Sequence, residues 1–254
     1  MSSALLVTVL LAAVVAKPPP ALFEDNSISG RNRYDRCIET LRRSPEQALE
    51  MALSWEAAGG SAGASHCAAL SLVSLRRYPE AARRLDDLGH ENVGSISQRA
   101  NLFDQAGNAW LLAGQGRQAT QSFASALALS PNDPDILADQ ARAAAMLGDW
   151  KAADISLSAA LARDHYRADF LVLRSSARNA LGMRAEARND LEQALKIVPN
   201  YPDALVERGA LKLESGDVNG ARADWQATVA KAPNSAAAAE AQQRLRSLAS
   251  PKGK

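Results

Sequence analysis

Few side chains in this sequence are of types that do chemistry, and their spacing limits what they can do. Cysteine occurs only at Cys37 and Cys67, and histidine only at His66, His90 and His165. A histidine beside a cysteine is raw material for a zinc site, but structural zinc takes four N or S ligands at characteristic spacings. Neither His90 nor His165 stands at such a spacing from the cysteines, so no metal or other cofactor is expected. Ser65 directly precedes His66, yet neighbouring residues of a helix point in different directions. No acidic residue can be assigned to orient the imidazole, as an acyl-transfer triad requires. Phosphate loops and paired catalytic carboxylates are likewise missing from the sequence, so the chain is read as a non-enzyme with no catalytic residue.

The two cysteines carry a different chemistry. Their number is even, and an exported protein is expected to join them. A Cys37–Cys67 bridge closes a loop of about 30 residues, worth roughly 3 to 4 kcal/mol on the chain-entropy estimate. The other reading is two buried thiols acting as small hydrophobes.

Charged residues recur in a pattern that could be mistaken for acid-base machinery. Arg174 is followed sixteen residues later by Asp190, and Arg208 by Asp224, whereas Ser122 and Ser156 take the aspartate position where the arginine is missing. The two residue types switch together, which points to an ion pair across a helical hairpin. A carboxylate beside a guanidinium stays ionised and is a poor general acid near neutral pH. These four residues are therefore assigned as structural ion pairs, and Arg208→Ala is expected to destabilise about as much as Asp224→Ala.

The elements that hold these groups follow from composition and periodicity. Of 254 residues, 47% are hydrophobic, 22% are charged and only 5% are aromatic, with 29 basic against 28 acidic side chains. The charge balance argues against nucleic acid as a partner, and a core built from Ala and Leu suits close helix packing. Ala4 to Ala16 is apolar apart from Thr8 and is followed by Lys17 and three prolines. Thirteen helical residues span about 20 Å, short of a bilayer core. Residues 1–16 are read as a signal peptide cleaved after Ala16, with an uncleaved anchor as the alternative and no stable membrane insertion after cleavage. Residues 17–31, rich in Pro, Ser and Gly, are read as a flexible linker.

The remainder repeats. Segments beginning at Ala100, Pro134, Ala168 and Pro202 align at a spacing of 34 residues without a gap. Gly114, Gly148, Gly182 and Gly216 each end a first helix. Ala119, Ala153, Ala187 and Ala221 come next, followed by Phe123, Leu157, Leu191 and Trp225 and then Ala126, Ala160, Ala194 and Thr228, a spacing that marks one face of a second helix. The first helix carries its own small contact position at Gly107, Ala141, Ser175 and Gly209. Pro131, Pro199 and Pro233 stop the second helices.

On these residues, including Ala-Trp-Leu-Leu-Ala-Gly at 109–114 and Ala-Leu-Lys-Ile-Val-Pro-Asn at 194–200, the chain resembles the tetratricopeptide repeat family, of an exported bacterial type. The resemblance implies an all-α fold, an α-solenoid of about six antiparallel helix pairs forming a right-handed superhelix, with a C-terminal capping helix. It places two divergent repeats at 32–94, with a turn near Arg76 that lacks glycine, and four regular repeats at 95–233. The cap and tail occupy 234–254, with Ser235 as N-cap.

The family's first helices line the concave side, so the resemblance implies a protein-binding groove. Its candidates are Asn101, Asp104, Asn108, Leu112, Asp135, Arg142, Met146, Asp169, Val172, Ser176, Asn179, Asp203, Val206 and Leu213. Val172, Val206, Leu112, Leu213 and Met146 form an expected apolar strip for a peptide anchor, flanked by Asn108, Ser176 and Asn179. Members that clamp acidic chaperone tails use inward Lys, Arg and Asn. Only Arg142 and Asn108 match that set, so a basic or neutral segment fits better. The expected function is a non-catalytic scaffold for a protein or peptide partner in the cell envelope. The competing reading is a structural subunit that self-associates through end or convex surfaces. An Arg- and Ala-rich composition points to a GC-rich bacterial genome, which places an exported chain in the periplasm, with secretion as the alternative.

Overall fold

Helices dominate because the sequence supplies capped amphipathic stretches separated by tight turns. The structure, a computed structural model, describes residues 28–60, 62–91 and 94–249. The proposed signal peptide, residues 17–27 of the linker and the tail at 250–254 lie outside the described residues. The helices are α1 (Ile28–Leu41), α2 (Pro45–Ala57), α3 (Ala62–Ser74), α4 (Tyr78–His90), α5 (Ile96–Leu112), α6 (Gly116–Leu129) and α7 (Pro134–Met146). They continue with α8 (Trp150–Arg163), α9 (Ala168–Ala180), α10 (Arg184–Ile197), α11 (Pro202–Glu214), α12 (Val218–Lys231) and α13 (Ala236–Ala249). In chain order these are thirteen helices, with no strand among the described residues. None of the described helices is long and apolar enough to cross a membrane. Helix α1 starts at Ile28, so the last four residues of the expected linker are helical.

The chain divides into two compact units at the Gly148 turn. In the N-terminal unit, α1 to α7, the hairpin turns close by paired backbone hydrogen bonds. Gly114 at φ 71° lets its own N–H reach the Leu111 carbonyl and that of Gln115 reach Trp110, each at 2.9 Å. The divergent α3–α4 turn makes the same two bonds with Arg76 at φ 59° in the glycine position, so the motif survives there in spite of the side chain. Ser44 caps α2, Asp133 caps α7, and Ser95 with Gln98 forms a reciprocal capping box at α5.

Packing within the α5–α6 hairpin rests on a small residue under a ring. Phe123 of α6 is fully buried, and a Cβ placed on Gly107 would stand 2.5 Å from its ring. Further toward the N-terminus, Tyr34, Cys37, Ala48, Ala52, Cys67 and Ala68 form a separate cluster. The sulfurs of Cys37 on α1 and Cys67 on α3 lie at bonding distance with their Cα atoms 6.4 Å apart, inside the range a disulfide spans. Gly59 and Gly60 lie in the α2–α3 turn, while Gly63 is the second residue of α3.

The C-terminal unit, α8 to α13, uses the same contact. Trp225 of α12 is buried, its indole N–H donates to the Val206 carbonyl at 3.1 Å, and a Cβ on Gly209 would stand 2.5 Å from that nitrogen. Helix α13, capped by Ser235 through the Ala238 N–H at 3.0 Å, lays Ala237 and Ala241 on Val206 and Trp225, with Leu245 and Leu248 alongside.

Adding one methyl at the helix contact tests this packing. Gly107→Ala and Gly209→Ala are each expected to cost about 1 to 3 kcal/mol through overpacking. Chemical denaturation of the full chain measures it. A cost near zero for both would mean the rings are not held against the first helices.

Candidate functional site

In the N-terminal unit the first helices present polar side chains that meet one another. Asn108 of α5 donates both amide hydrogens through Nδ2, to Asp139 Oδ2 at 2.8 Å and to the Asp104 main-chain oxygen at 3.1 Å. Arg142, one helical turn beyond Asp139 on α7, donates from Nη1 to Asp139 Oδ1. Three of the expected groove residues, Asp104, Asn108 and Arg142, are thus gathered around Asp139, which sequence reading did not select. Asp139 is 8% exposed. Buried without a hydrogen-bond partner among the described residues are Asp104 Oδ1, Asn108 Oδ1 and Arg142 Nε. Burial, and then the Asp139 charge, raise the Asp104 carboxyl well above the usual carboxylate range. Asp139 is raised too, chiefly by burial, with Arg142 and the Asn108 hydrogen bond opposing the rise. Asn101, Leu112 and Met146 are half-buried along the same helices, and Asp135 is exposed in the first turn of α7.

A second polar contact joins the divergent repeats. His66 is fully buried, with Nε2 2.9 Å from Gln105 Oε1 and Nδ1 2.8 Å from the Tyr34 hydroxyl. An amide oxygen only accepts, so Nε2 carries the proton and Nδ1 accepts from Tyr34. Burial lowers the His66 pKa to about 4, against the Gln105 hydrogen bond that raises it. This ring ties α1, α3 and α5 together as a neutral structural group. Among the described residues no group of three or more His, Cys, Asp or Glu side chains is placed to hold a metal ion.

Gln105 and Asp139 share one position of the 34-residue repeat, as do Leu173 and Glu207. In the N-terminal unit this position reaches the preceding first helix, His66 from α5 and Asn108 from α7. A polar residue recurring in a column that also holds leucine was the available signal for it.

In the C-terminal unit the expected groove needs correction. Val172 and Val206 are 3% and 1% exposed. Val206 and the half-buried Leu213 belong to the core that α13 covers, so this part of the expected apolar strip is interior packing and is not open to a peptide. A first helix has flanks as well as an outer face, and α13 takes one of those flanks. Ser176 is also buried, its hydroxyl donating to the Val172 carbonyl at 3.2 Å. Asp169 is held by Arg167 through two hydrogen bonds of 2.8 and 2.9 Å. Asn179 and Asp203 are half-buried, and burial raises the Asp203 carboxyl.

The arginine and aspartate partners face each other within their hairpins. Arg174 donates to both oxygens of Asp190 at 2.7 and 3.0 Å, and Arg208 to both of Asp224 at 2.7 and 2.9 Å. Each aspartate has a further cation. Arg178 reaches Asp190 and also Asp154 of α8, both at 2.9 Å, and Lys212 reaches Asp224 at 2.8 Å. Although burial pushes Asp224 upward, hydrogen bonds from Arg208 and Lys212 hold it below its ordinary range. Where the arginine is missing, Ser122 donates instead to Asp86 of α4, which also takes the Trp110 indole N–H, each at 2.7 Å.

No protein-family model matches the chain. Among curated proteins, the tetratricopeptide repeat and J domain-containing co-chaperone DNJ1 of Fusarium oxysporum f. sp. lycopersici is 32% identical over 131 residues. The match takes in 49% of this chain and 25% of that protein, so the chain spans a quarter of the relative's length. Among solved structures, MamA from Desulfovibrio magneticus RS-1 superposes with a TM-score of 0.59 at 18% identity, covering 68% of this chain and 97% of that one. YrrB, described as a TPR protein with an unusual peptide-binding site, superposes with a TM-score of 0.54 at 18% identity, covering 75% and 96%. The fold is that of tetratricopeptide repeats.

Two measurements check these assignments. Because Lys212 remains beside Asp224 when Arg208 is removed, Arg208→Ala should cost less than Asp224→Ala, which departs from the equal costs expected above. The double change should fall short of the sum by at least about 0.5 kcal/mol, and strict additivity would show the pair to be uncoupled. The second concerns Glu207, whose pKa is raised to about 7, first by burial, with Arg244 opposing. The folded state then binds the extra proton between about pH 4.5 and 7, so this group costs stability as pH rises through that window. Glu207→Gln should gain on the wild type by up to about 3 kcal/mol from pH 4.5 to 7, read from denaturant unfolding at several pH values. A difference independent of pH would show that Glu207 titrates normally.

Proposed function

We propose that this chain is a non-catalytic interaction scaffold of the bacterial cell envelope, exported to the periplasm, that holds a partner protein or peptide segment against its first-helix faces. The observation that carries the reading is the α5–α7 face. There hydrogen bonds fix Asn108, Asp139 and Arg142 in place while three buried polar atoms stay without partners. Such atoms are costly to leave unsatisfied, by about 1 to 3 kcal/mol each, and a bound segment would supply what they lack. The fold shared with a protein that has a peptide-binding site supports the same use. The apolar Ala4 to Ala16 stretch and the juxtaposed Cys37 and Cys67 support export. Stacking of copies is the weaker alternative, because α13 already occupies the apolar side of the last hairpin.

Site-specific photo-crosslinking in the expressing cell tests the scaffold reading. A crosslinker at Asn101 or exposed Asp135 should capture one other envelope protein, and one at exposed Gln121 on α6 should not. Adducts only from Gln121, or only between copies of the chain, would replace the scaffold by the self-associating subunit. Thiol mapping of the protein taken from its own compartment should find Cys37 and Cys67 linked and a mature N-terminus at Lys17. Two freely alkylated thiols on a chain that retains residues 1–16 would overturn the export reading.

A further inference from the structure

We infer that the cluster of Asp104, Asn108, Asp139 and Arg142 is the recognition point for a cationic side chain, a lysine or arginine carried on an extended segment of the partner. The inference rests on the scaffold reading and specifies its chemistry.

The donors and acceptors of the cluster set the chemistry of its ligand. Both N–H groups of Asn108 are spent, one on Asp139 and one on the Asp104 main chain, so the open atom Oδ1 can only accept. Asp104 Oδ1, an acceptor once the carboxyl is ionised, lies one helical turn away on the same face of α5. Two buried acceptors one turn apart on one helix face call for a group with more than one N–H. The charge count agrees. Within the cluster two carboxyl groups share one cation, Arg142, which is committed to Asp139 and leaves Asp104 without a counter-charge. Asp133 and Asp135, at the start of α7, add negative charge that acts on Asp104. A carboxylate or phosphate would meet this field with the wrong sign, and an apolar anchor would leave both acceptors unsatisfied. An ammonium or guanidinium satisfies both and favours the ionised form of Asp104, which burial and the Asp139 charge disfavour in the free chain. The remaining open atom, Arg142 Nε, is a donor, and a main-chain carbonyl of the same segment would complete it. The ligand is therefore an extended peptide with a single basic residue at this point.

The test uses the full chain and four nine-residue peptides, acetylated and amidated, that differ only at the centre: Lys, Arg, norleucine or Glu. Nuclear magnetic resonance follows the Asn108 side-chain amide and the α5 and α7 backbone while affinity is titrated. The Lys and Arg peptides should bind about tenfold more tightly than the norleucine peptide and shift the Asn108 amide, and the Glu peptide should bind most weakly. Asp104→Asn keeps the side-chain size and replaces a carboxyl whose charged form burial disfavours, so it should fold at least as stably as the wild type while losing the preference for Lys and Arg. Asp104→Glu should restore part of that preference. Norleucine or Glu peptides that shift the same residues equally well would overturn the cation assignment and leave the groove reading standing. If no peptide perturbs α5 or α7, both fall, and the three buried atoms are satisfied by water alone.

Discussion

The structure depends on a steric fit between a small residue on a first helix and a large ring on its partner. Where Gly107 lies under Phe123 and Gly209 under Trp225, the two helices approach closely enough that one added carbon would overlap the ring. That contact sets the separation within the hairpin, and the alanines beside it at Ala119, Ala126 and Ala221 are fully buried on the same helix face. With the hairpin fixed, the first helix can present only certain positions outward, and these are the positions where the polar cluster of α5 and α7 occurs.

Electrostatics then divides the polar residues into two kinds. The arginine and aspartate pairs of α9 to α12 are saturated, since each aspartate oxygen meets a guanidinium or ammonium hydrogen and both aspartates have two cations nearby. Groups so fully paired hold a hairpin together and have little left to offer a ligand. The Asp104, Asn108, Asp139 and Arg142 set is partly paired, with buried atoms still open. In a medium that strengthens every polar contact and penalises every missing one, that difference separates the fully paired structural charges from the cluster proposed for recognition.

The ends of the repeat array meet a shared requirement in different ways. A terminal repeat lacks a neighbour to cover its apolar flank. At the C-terminus α13 supplies the cover with alanines and leucines. At the N-terminus the divergent repeats rely on specific links. A buried imidazole joins three first helices, and paired sulfurs join two of them. Of the regular repeats only the first takes part, through Gln105 of α5.

Much of this was legible in the residue order. The 34-residue recurrence of glycine turns, small contact positions and large buried residues determined the helices of the regular repeats and the pairing of α5 with α6, α9 with α10 and α11 with α12, because each depends on neighbours within one or two helical turns or on a partner helix at fixed spacing. The coupled switching of Arg208 with Asp224 likewise exposed a contact sixteen residues apart, without revealing that Lys212 shares it. Which outward residues are open was decided only by tertiary structure. Val206 and Leu213 looked available on their own helix, but α13 covers them. Gln105 and Asp139 were not selected from the sequence, yet they reach the preceding first helix and meet the polar groups there. Periodicity specifies a side chain's direction about its own helix axis, whereas exposure and pairing depend on what a neighbouring helix places against it.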